Sequence, residues 1–222
     1  MNFCRFLFTI FMFHMCFFAE SVKLGANSVV GDDFSHPITQ LHLGNKKSKK
    51  VILVYISPTC LHCGKFLIED IDEFMKRDKN DADIIIKFLP ISAKDIFVMK
   101  LIQSEAKSEN EYLLIFTNYM KRVLATINYS NPTQEQIKLF KGSKIDSEMI
   151  KFQVIASDFG FSNAKIVNST PNMSAPFEKR LVEYYTSEAK SISKILKANE
   201  LDLPLIIKSG ELYKNLEEAE NG

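Results

Sequence analysis

The sequence predicts an α/β fold with a helical insertion, on three observations. Val51–Ser57 (VILVYIS) and Asp83–Leu89 (DIIIKFL) are continuous apolar, β-branched runs, as strands buried on both faces are, and Leu61–Arg77 between them has helical spacing. From Ala93 to about Glu200 the periodicity is mainly helical. Leu203–Lys208 (LPLIIK) and Glu211–Lys214 (ELYK) then flank Ser209-Gly210, two short runs around a glycine-containing turn. A composition of 46% hydrophobic and 25% charged residues over 222 positions fits such a globular chain. With 28 basic and 27 acidic residues, no net charge marks a nucleic-acid or membrane-surface binder.

The elements follow in chain order. Seven of the 18 phenylalanines fall in the first 18 residues, and after Arg5 an apolar run of 14, Phe6–Ala19, is broken only by Thr9 and His14. A membrane-spanning helix needs about 20 residues, so this run predicts a signal peptide over residues 1–21, with Ala19 and Ser21 at the small cleavage positions. An uncleaved anchor or a buried hydrophobic strand is the alternative. No later stretch approaches 18 uninterrupted apolar residues, so the remainder reads as soluble. Residues 22–50 are polar, with Leu41 and Leu43 in a short edge strand, His42 facing solvent between them and Lys46–Lys50 solvating a turn. Residues 22–92 then form a strand–helix–strand unit with parallel strands, Phe66, Leu67, Ile71 and Phe74 lining the helix and Pro90 stopping the second strand. Residues 93–200 hold helices over Ala93–Lys107, Asn110–Ile127, Thr133–Phe140, Ser147–Gly160 and Pro176–Ala198, separated by Asn131-Pro132 and the loop Ser169–Pro176. Residues 201–222 hold the proline-led hairpin.

Removal of the signal also removes Cys4 and Cys16, leaving Cys60 and Cys63 in a compartment where disulfides persist. These two lie directly after the first buried strand, at the first turn of the next helix. Cysteines at i and i+3 of a first helical turn come close enough to bond. The free N–H groups and dipole of a helix N-terminus favour an anion and lower a thiol pKa. Only a thiolate attacks a disulfide, and a low pKa also makes it a better leaving group. Cys60, nearer the helix end, is expected to be the exposed nucleophile and Cys63 the buried resolving thiol. His62 between them is expected to stabilise the thiolate through a protonated or hydrogen-bonding imidazole, the alternative being a solvated helix residue.

Other uses of C-x-x-C weigh less. Haem attachment needs a histidine after the second cysteine, where Gly64 stands. Zinc needs four ligands, and only His36 and His42 remain to complete a set. A structural disulfide closing so short a loop removes little chain entropy. Pro204 is the second signal. A proline opening an apolar strand is unusual unless it is at an edge or cis, and both isomers stay open here. A cis bond would turn Leu203 beside the Cys60 helix end, where its backbone could pair with an extended substrate segment.

The stretch V-Y-I-S-P-T-C-L-H-C-G-K-F resembles the signature of the DsbA-like thiol:disulfide oxidoreductases of the thioredoxin superfamily, whose usual form is E-Y-x-S-x-T-C-x-H-C-x-x-F. Tyr55, Ser57, Thr59, Cys60, His62, Cys63 and Phe66 match it, and Pro204 followed by LIIKSGELY resembles the cis-proline strand and hairpin. The resemblance spans about residues 50–215 and implies a thioredoxin-like fold with the helical insertion between the strand–helix–strand unit and the hairpin. It implies a periplasmic oxidase that passes the Cys60–Cys63 disulfide to newly exported, partly folded proteins and is reoxidised by a membrane partner. A reductase or isomerase, or a non-catalytic substrate-binding chaperone, is the alternative. No cofactor, nucleic acid or retained membrane segment is implied. Departures stand at Val54, where the family has a buried glutamate, at Leu61 between the cysteines, and at Leu203 before the proline.

Overall fold

Two largely apolar strands of six residues each form the centre of one mixed sheet with helices on both faces. The computed structural model describes residues 40–78, 80–128, 132–140, 147–195, 203–208 and 211–213. The expected signal peptide, Cys4, Cys16, His36 and the Ser209-Gly210 turn lie outside these residues. In chain order the elements are β1 (Gln40–His42), β2 (Val51–Ile56), α1 (Leu61–Glu69), α2 (Ile71–Asp78), β3 (Asp83–Phe88), α3 (Ala93–Gln103), α4 (Glu109–Thr126), α5 (Gln134–Phe140), α6 (Ser147–Phe159), α7 (Asn163–Ser169), α8 (Pro176–Ile195), β4 (Leu205–Lys208) and β5 (Glu211–Tyr213).

The sheet order is β1-β3-β2-β4-β5. β2 is central, parallel to β3 and antiparallel to β4, while β1 and β5 form the edges. The α/β class, the parallel pair and the hairpin are as the sequence predicts. Alternation along β2 explains why its apolar run is unbroken. Ile52, Val54 and Ile56 join the main core under the helices, while Tyr55 enters a smaller cluster on the opposite face with Leu89 and Leu205. Tyr185 and Ile192 of α8 close that second face, and Lys87 on β3 pairs with Glu188 of α8 at 3.2 Å while lying over the Tyr55 ring. A strand covered on both sides has no use for a polar residue, so β2 reads as a continuous hydrophobic run.

α3 passes through the main core. Seven of its residues are buried, from Asp95 to Ile102. A helix apolar nearly all round belongs in an interior. Its start is fixed by a capping box: the Ser92 hydroxyl accepts from the Asp95 N–H, and the Asp95 carboxylate accepts from the Ser92 N–H. Phe88 on β3 meets Tyr112 and Phe116 of α4 with ring centroids 5.6 and 5.5 Å apart, so the aromatic pairs lock α4 to the sheet.

Two helix assignments differ from the sequence expectation. Leu61–Arg77 is not one helix but two, with Asp70 between them at φ −110°. The Asp70 N–H still donates to the Phe66 carbonyl and the Phe74 N–H to that of Asp70, so the helix is interrupted while hydrogen bonds continue across the break. A break that keeps both the apolar spacing and the hydrogen bonds leaves no mark in the sequence pattern. α7 was not expected at all. Of its seven residues only Ile166 is a buried hydrophobe, too few for a period, although Ser162 caps it by accepting from the Lys165 N–H.

Two glycines sit at close approaches of unlike cost. A Cβ on Gly44, just after β1, would stand 2.3 Å from the backbone oxygen of Ala82. A Cβ on Gly64, in α1, would stand 2.8 Å from the terminal methyl of Met120 on α4, with Met120 Cβ and a Leu124 methyl at ordinary contact distances of 3.5 and 3.6 Å. Gly44→Ala is therefore expected to destabilise by about 1–3 kcal/mol or more, because backbone has to move. Gly64→Ala is expected to stay within about 1 kcal/mol of wild type, since the methionine can turn and the helix gains alanine's propensity. Urea unfolding of the two variants beside wild type measures the difference.

Candidate redox site

Strand β2 delivers the cysteines. It ends at Ile56 in the middle of the sheet, and Ser57, Pro58 and Thr59 turn the chain so that α1 starts at its C-terminal end. The Cys60 N–H donates to the Ser57 carbonyl at 3.1 Å, closing that turn. Cys60 is extended, at φ −71° and ψ 119°, and is the N-cap of α1. Its sulfur accepts the Cys63 N–H at 3.4 Å, the place a serine or aspartate oxygen usually takes. No acidic side chain lies in the first turn of α1 to compete for those N–H groups. Both cysteines are free thiols here; Cys60 is half-buried and Cys63 is 1% exposed.

These positions split the two acidities. The Cys60 thiol is held down from 9.0 to about 6, first by the hydrogen bond that Cys63 donates to its sulfur, with burial acting against it. The backbone N–H groups of Cys63 and His62 lower it further, and the His62 imidazole adds a smaller favourable charge. Cys63 moves the other way. Burial pushes it well above the ordinary thiol value, and its hydrogen bond to Cys60 and the charges of Cys60 and Asp95 add to that. One sulfur is thus a thiolate at neutral pH and the other a thiol. His62 itself is exposed, and its peptide N–H precedes its imidazole among the influences on Cys60.

The second expected element reaches the same place through sheet register. β4 is antiparallel to β2 and pairs Leu205 with Tyr55, near the end of β2. The residues just before β4 therefore lie beside the residues just after β2. The Cys60 sulfur lies 3.8 Å from the Leu203 carbonyl, across 143 positions of sequence, and donates to it when protonated. The Leu203-Pro204 peptide is cis. Leu203 packs against both hydrophobic clusters, and Leu61, after Cys60, is 40% exposed. Cys60, Leu203 and Leu61 are thus gathered at one end of the sheet.

Asp95 is the residue that the sequence reading missed. It is 1% exposed, at the start of α3. Its Oδ1 accepts from the Ser57 hydroxyl at 2.8 Å, the Thr59 N–H at 2.9 Å and the Thr59 hydroxyl at 2.8 Å. Its Oδ2 accepts from the Ser92 N–H and hydroxyl at 2.9 and 2.7 Å. Burial raises this acid and the Ser92, Thr59 and Ser57 donors lower it, the net direction being upward. The readable signal was S-x-x-D at Ser92–Asp95, a capping pattern ahead of an apolar run. Val54, by contrast, is wholly buried in the main core.

His42 does not face solvent. Its Nδ1 lies 3.2 and 3.3 Å from the two oxygens of Asp83, and its backbone N–H donates to Glu109 of α4 at 2.9 Å. α4 covers the edge strand at this point, which a two-residue alternation could not reveal. Among the described residues, no group of three or more His, Cys, Asp or Glu side chains could hold a metal ion.

The thioredoxin family profile matches residues 36–179, from just before β1 into α8. No curated protein matches the sequence. Among solved structures, a protein-disulfide isomerase from Novosphingobium aromaticivorans superposes with a TM-score of 0.54 at 17% identity, over 82% of this chain and 92% of that one. DsbA from Chlamydia trachomatis superposes with a TM-score of 0.49 at 14% identity, over 81% of this chain and 87% of that one. The isomerase likeness shows a shared fold. The family match over most of the chain identifies a thioredoxin-fold thiol:disulfide oxidoreductase.

Two pH measurements check the split. Alkylation of Cys60 in the reduced protein is expected to rise with pH around a midpoint near 6. Because the folded pKa of Cys60 lies below its unfolded value, the reduced protein is expected to gain stability as pH climbs from about 6 to about 9. That gain is fully present above the unfolded value and lost as pH falls through the folded one. Denaturant unfolding of the reduced protein against its Cys60→Ser variant across that window reads it directly.

Proposed function

The chain belongs to the thioredoxin family, and from that premise we propose that it is an exported disulfide oxidase of the DsbA kind. The observation that carries the reading is Cys60 capping α1 with a thiol held at about 6 while buried Cys63 stays protonated. A dithiol whose reduced form is stabilised as a thiolate gives up its disulfide readily and so oxidises its clients. The N-terminal run Phe6–Ala19 supports export, and among the described residues no helix is long and apolar enough to cross a membrane.

In the proposed cycle the oxidised protein carries a Cys60–Cys63 bond. A client thiolate attacks the Cys60 sulfur. The Cys63 sulfur leaves with the bonding electron pair and takes up a proton. A second client thiolate then attacks the client sulfur of the mixed disulfide and expels Cys60 as a thiolate. Two electrons pass from the client to the protein, and the client gains one disulfide. The Leu203 backbone, beside Cys60, pairs with the extended client segment. Clients are exported proteins with free cysteines, and a membrane redox partner restores the Cys60–Cys63 bond. His62 and Pro204 belong to the same proposed site, His62 through its N–H and charge and Pro204 through its place next to Leu203.

The oxidised protein is expected to introduce a disulfide stoichiometrically into a reduced peptide with two cysteines, and its reduction potential is expected to lie above about −200 mV. A value near the roughly −270 mV of thioredoxin would overturn the oxidase reading in favour of a reductase. Rescue of scrambled disulfides without added oxidant would instead identify an isomerase, the activity named for the structural neighbour from Novosphingobium aromaticivorans.

A further inference from the structure

A carboxylate with no cation beside it is costly to bury. Asp95 is nevertheless 1% exposed, and among the described residues no lysine, arginine or histidine pairs with it. Five donors take the place of a counter-ion. Each carboxylate oxygen receives one backbone N–H, from Thr59 or Ser92, and at least one hydroxyl, from Ser57, Thr59 or Ser92. Those donors fill the acceptor capacity of the ionised group and leave little room for a proton. The two oxygens also divide their partners by element. One oxygen binds the turn that leads into Cys60, and the other binds the cap of α3.

We propose that Asp95 is a positioning residue of the redox pair: it ties the turn before Cys60 to the rigid start of α3 and sets a fixed negative charge near Cys63, so that the reduced pair carries its own charge on Cys60 alone. The path from Asp95 to Cys63 is short. Ser57 donates its hydroxyl to Asp95 at 2.8 Å, and its backbone N–H acts on the Cys63 sulfur in the opposite sense to the Asp95 charge, lowering that thiol. The Asp95 charge is among the influences that keep Cys63 protonated. α3 suits the task because it is buried along its length and cannot drift from the site. The consequence is a restraint on oxidising power. A negative charge near the pair disfavours the thiolate-bearing reduced state, so Asp95 makes the disulfide less oxidising than the helix N-terminus alone would make it.

This inference rests on the thiol:disulfide exchange proposed above, and the test separates the two. The oxidised protein is equilibrated with glutathione. Two glutathione thiols supply two electrons and two protons and become glutathione disulfide. The protein disulfide takes both electrons, Cys63 keeps one proton, and the other goes to solvent as Cys60 remains a thiolate. If the wild-type protein does not exchange with glutathione, the proposed function fails. If it exchanges, Asp95→Asn is expected to shift the equilibrium at least about threefold toward the reduced protein, by removing the charge while keeping the side-chain shape. An unchanged equilibrium, or a shift toward the oxidised protein, would overturn the inference. Ser57→Ala removes one donor from Oδ1 and leaves the charge less compensated, so the opposite shift, about twofold toward the oxidised protein, is expected. Simple loosening of the turn would move both variants the same way. Should Asp95→Asn not fold, the direction of the Ser57→Ala shift decides alone.

Discussion

A sulfur atom caps helix α1, and the chemistry of the redox pair follows from that one contact. The first turn of α1 leaves N–H groups without partners, and Cys60 supplies the acceptor. A neutral thiol is a poor acceptor and a thiolate a good one, so the cap is best satisfied when Cys60 is ionised. That preference converts a local backbone requirement into redox chemistry. It also explains the asymmetry of the pair. The cap position is half-open to solvent, whereas Cys63, one turn further in, faces the core beneath α1 and has nothing to gain from charge.

The remaining architecture holds that cap in place. β2 is flanked on both sides in the sheet and covered on both faces, so its C-terminal end is a fixed point. β4 returns antiparallel beside it, and register alone sets Leu203 next to the cysteine. The Asp95 carboxylate joins the intervening turn to a helix buried along its length. Three elements far apart in sequence therefore converge on the Cys60 turn. On the opposite face, α8 is secured by a small apolar cluster and by ion pairs through Lys87 and Lys100, and none of its described side chains is fully buried. Most of the packing energy lies on the face that carries the redox turn.

The sequence shows much of this, for identifiable reasons. β2 and β3 are legible because burial on both faces forces unbroken apolar runs. The cysteines are legible because strand, short turn and C-x-x-C are contiguous, so no tertiary knowledge is needed to place them at a helix start. Pro204 stands out because proline is costly at a strand start, yet only the register of β4 against β2 says what it lies beside. Asp95 is hidden for the opposite reason. Its partners Ser57 and Thr59 are 38 and 36 positions away, and the same S-x-x-D pattern marks any ordinary helix cap. The break at Asp70 is silent because the apolar stripe continues through it, and α7 is silent because it buries a single hydrophobe. His42 is misread from alternation because a helix covers that edge.

On the proposed function, Cys60 is the sulfur that meets the partner and Cys63 the one that releases it. The most direct measurement is to incubate oxidised glutathione or a disulfide-bearing peptide with the Cys63→Ala and Cys60→Ala variants near neutral pH and to map the adducts by mass spectrometry. A persistent mixed disulfide is expected on Cys60 in the first variant and little or none on Cys63 in the second. Ready adduct formation at Cys63, or none at Cys60, would contradict that assignment.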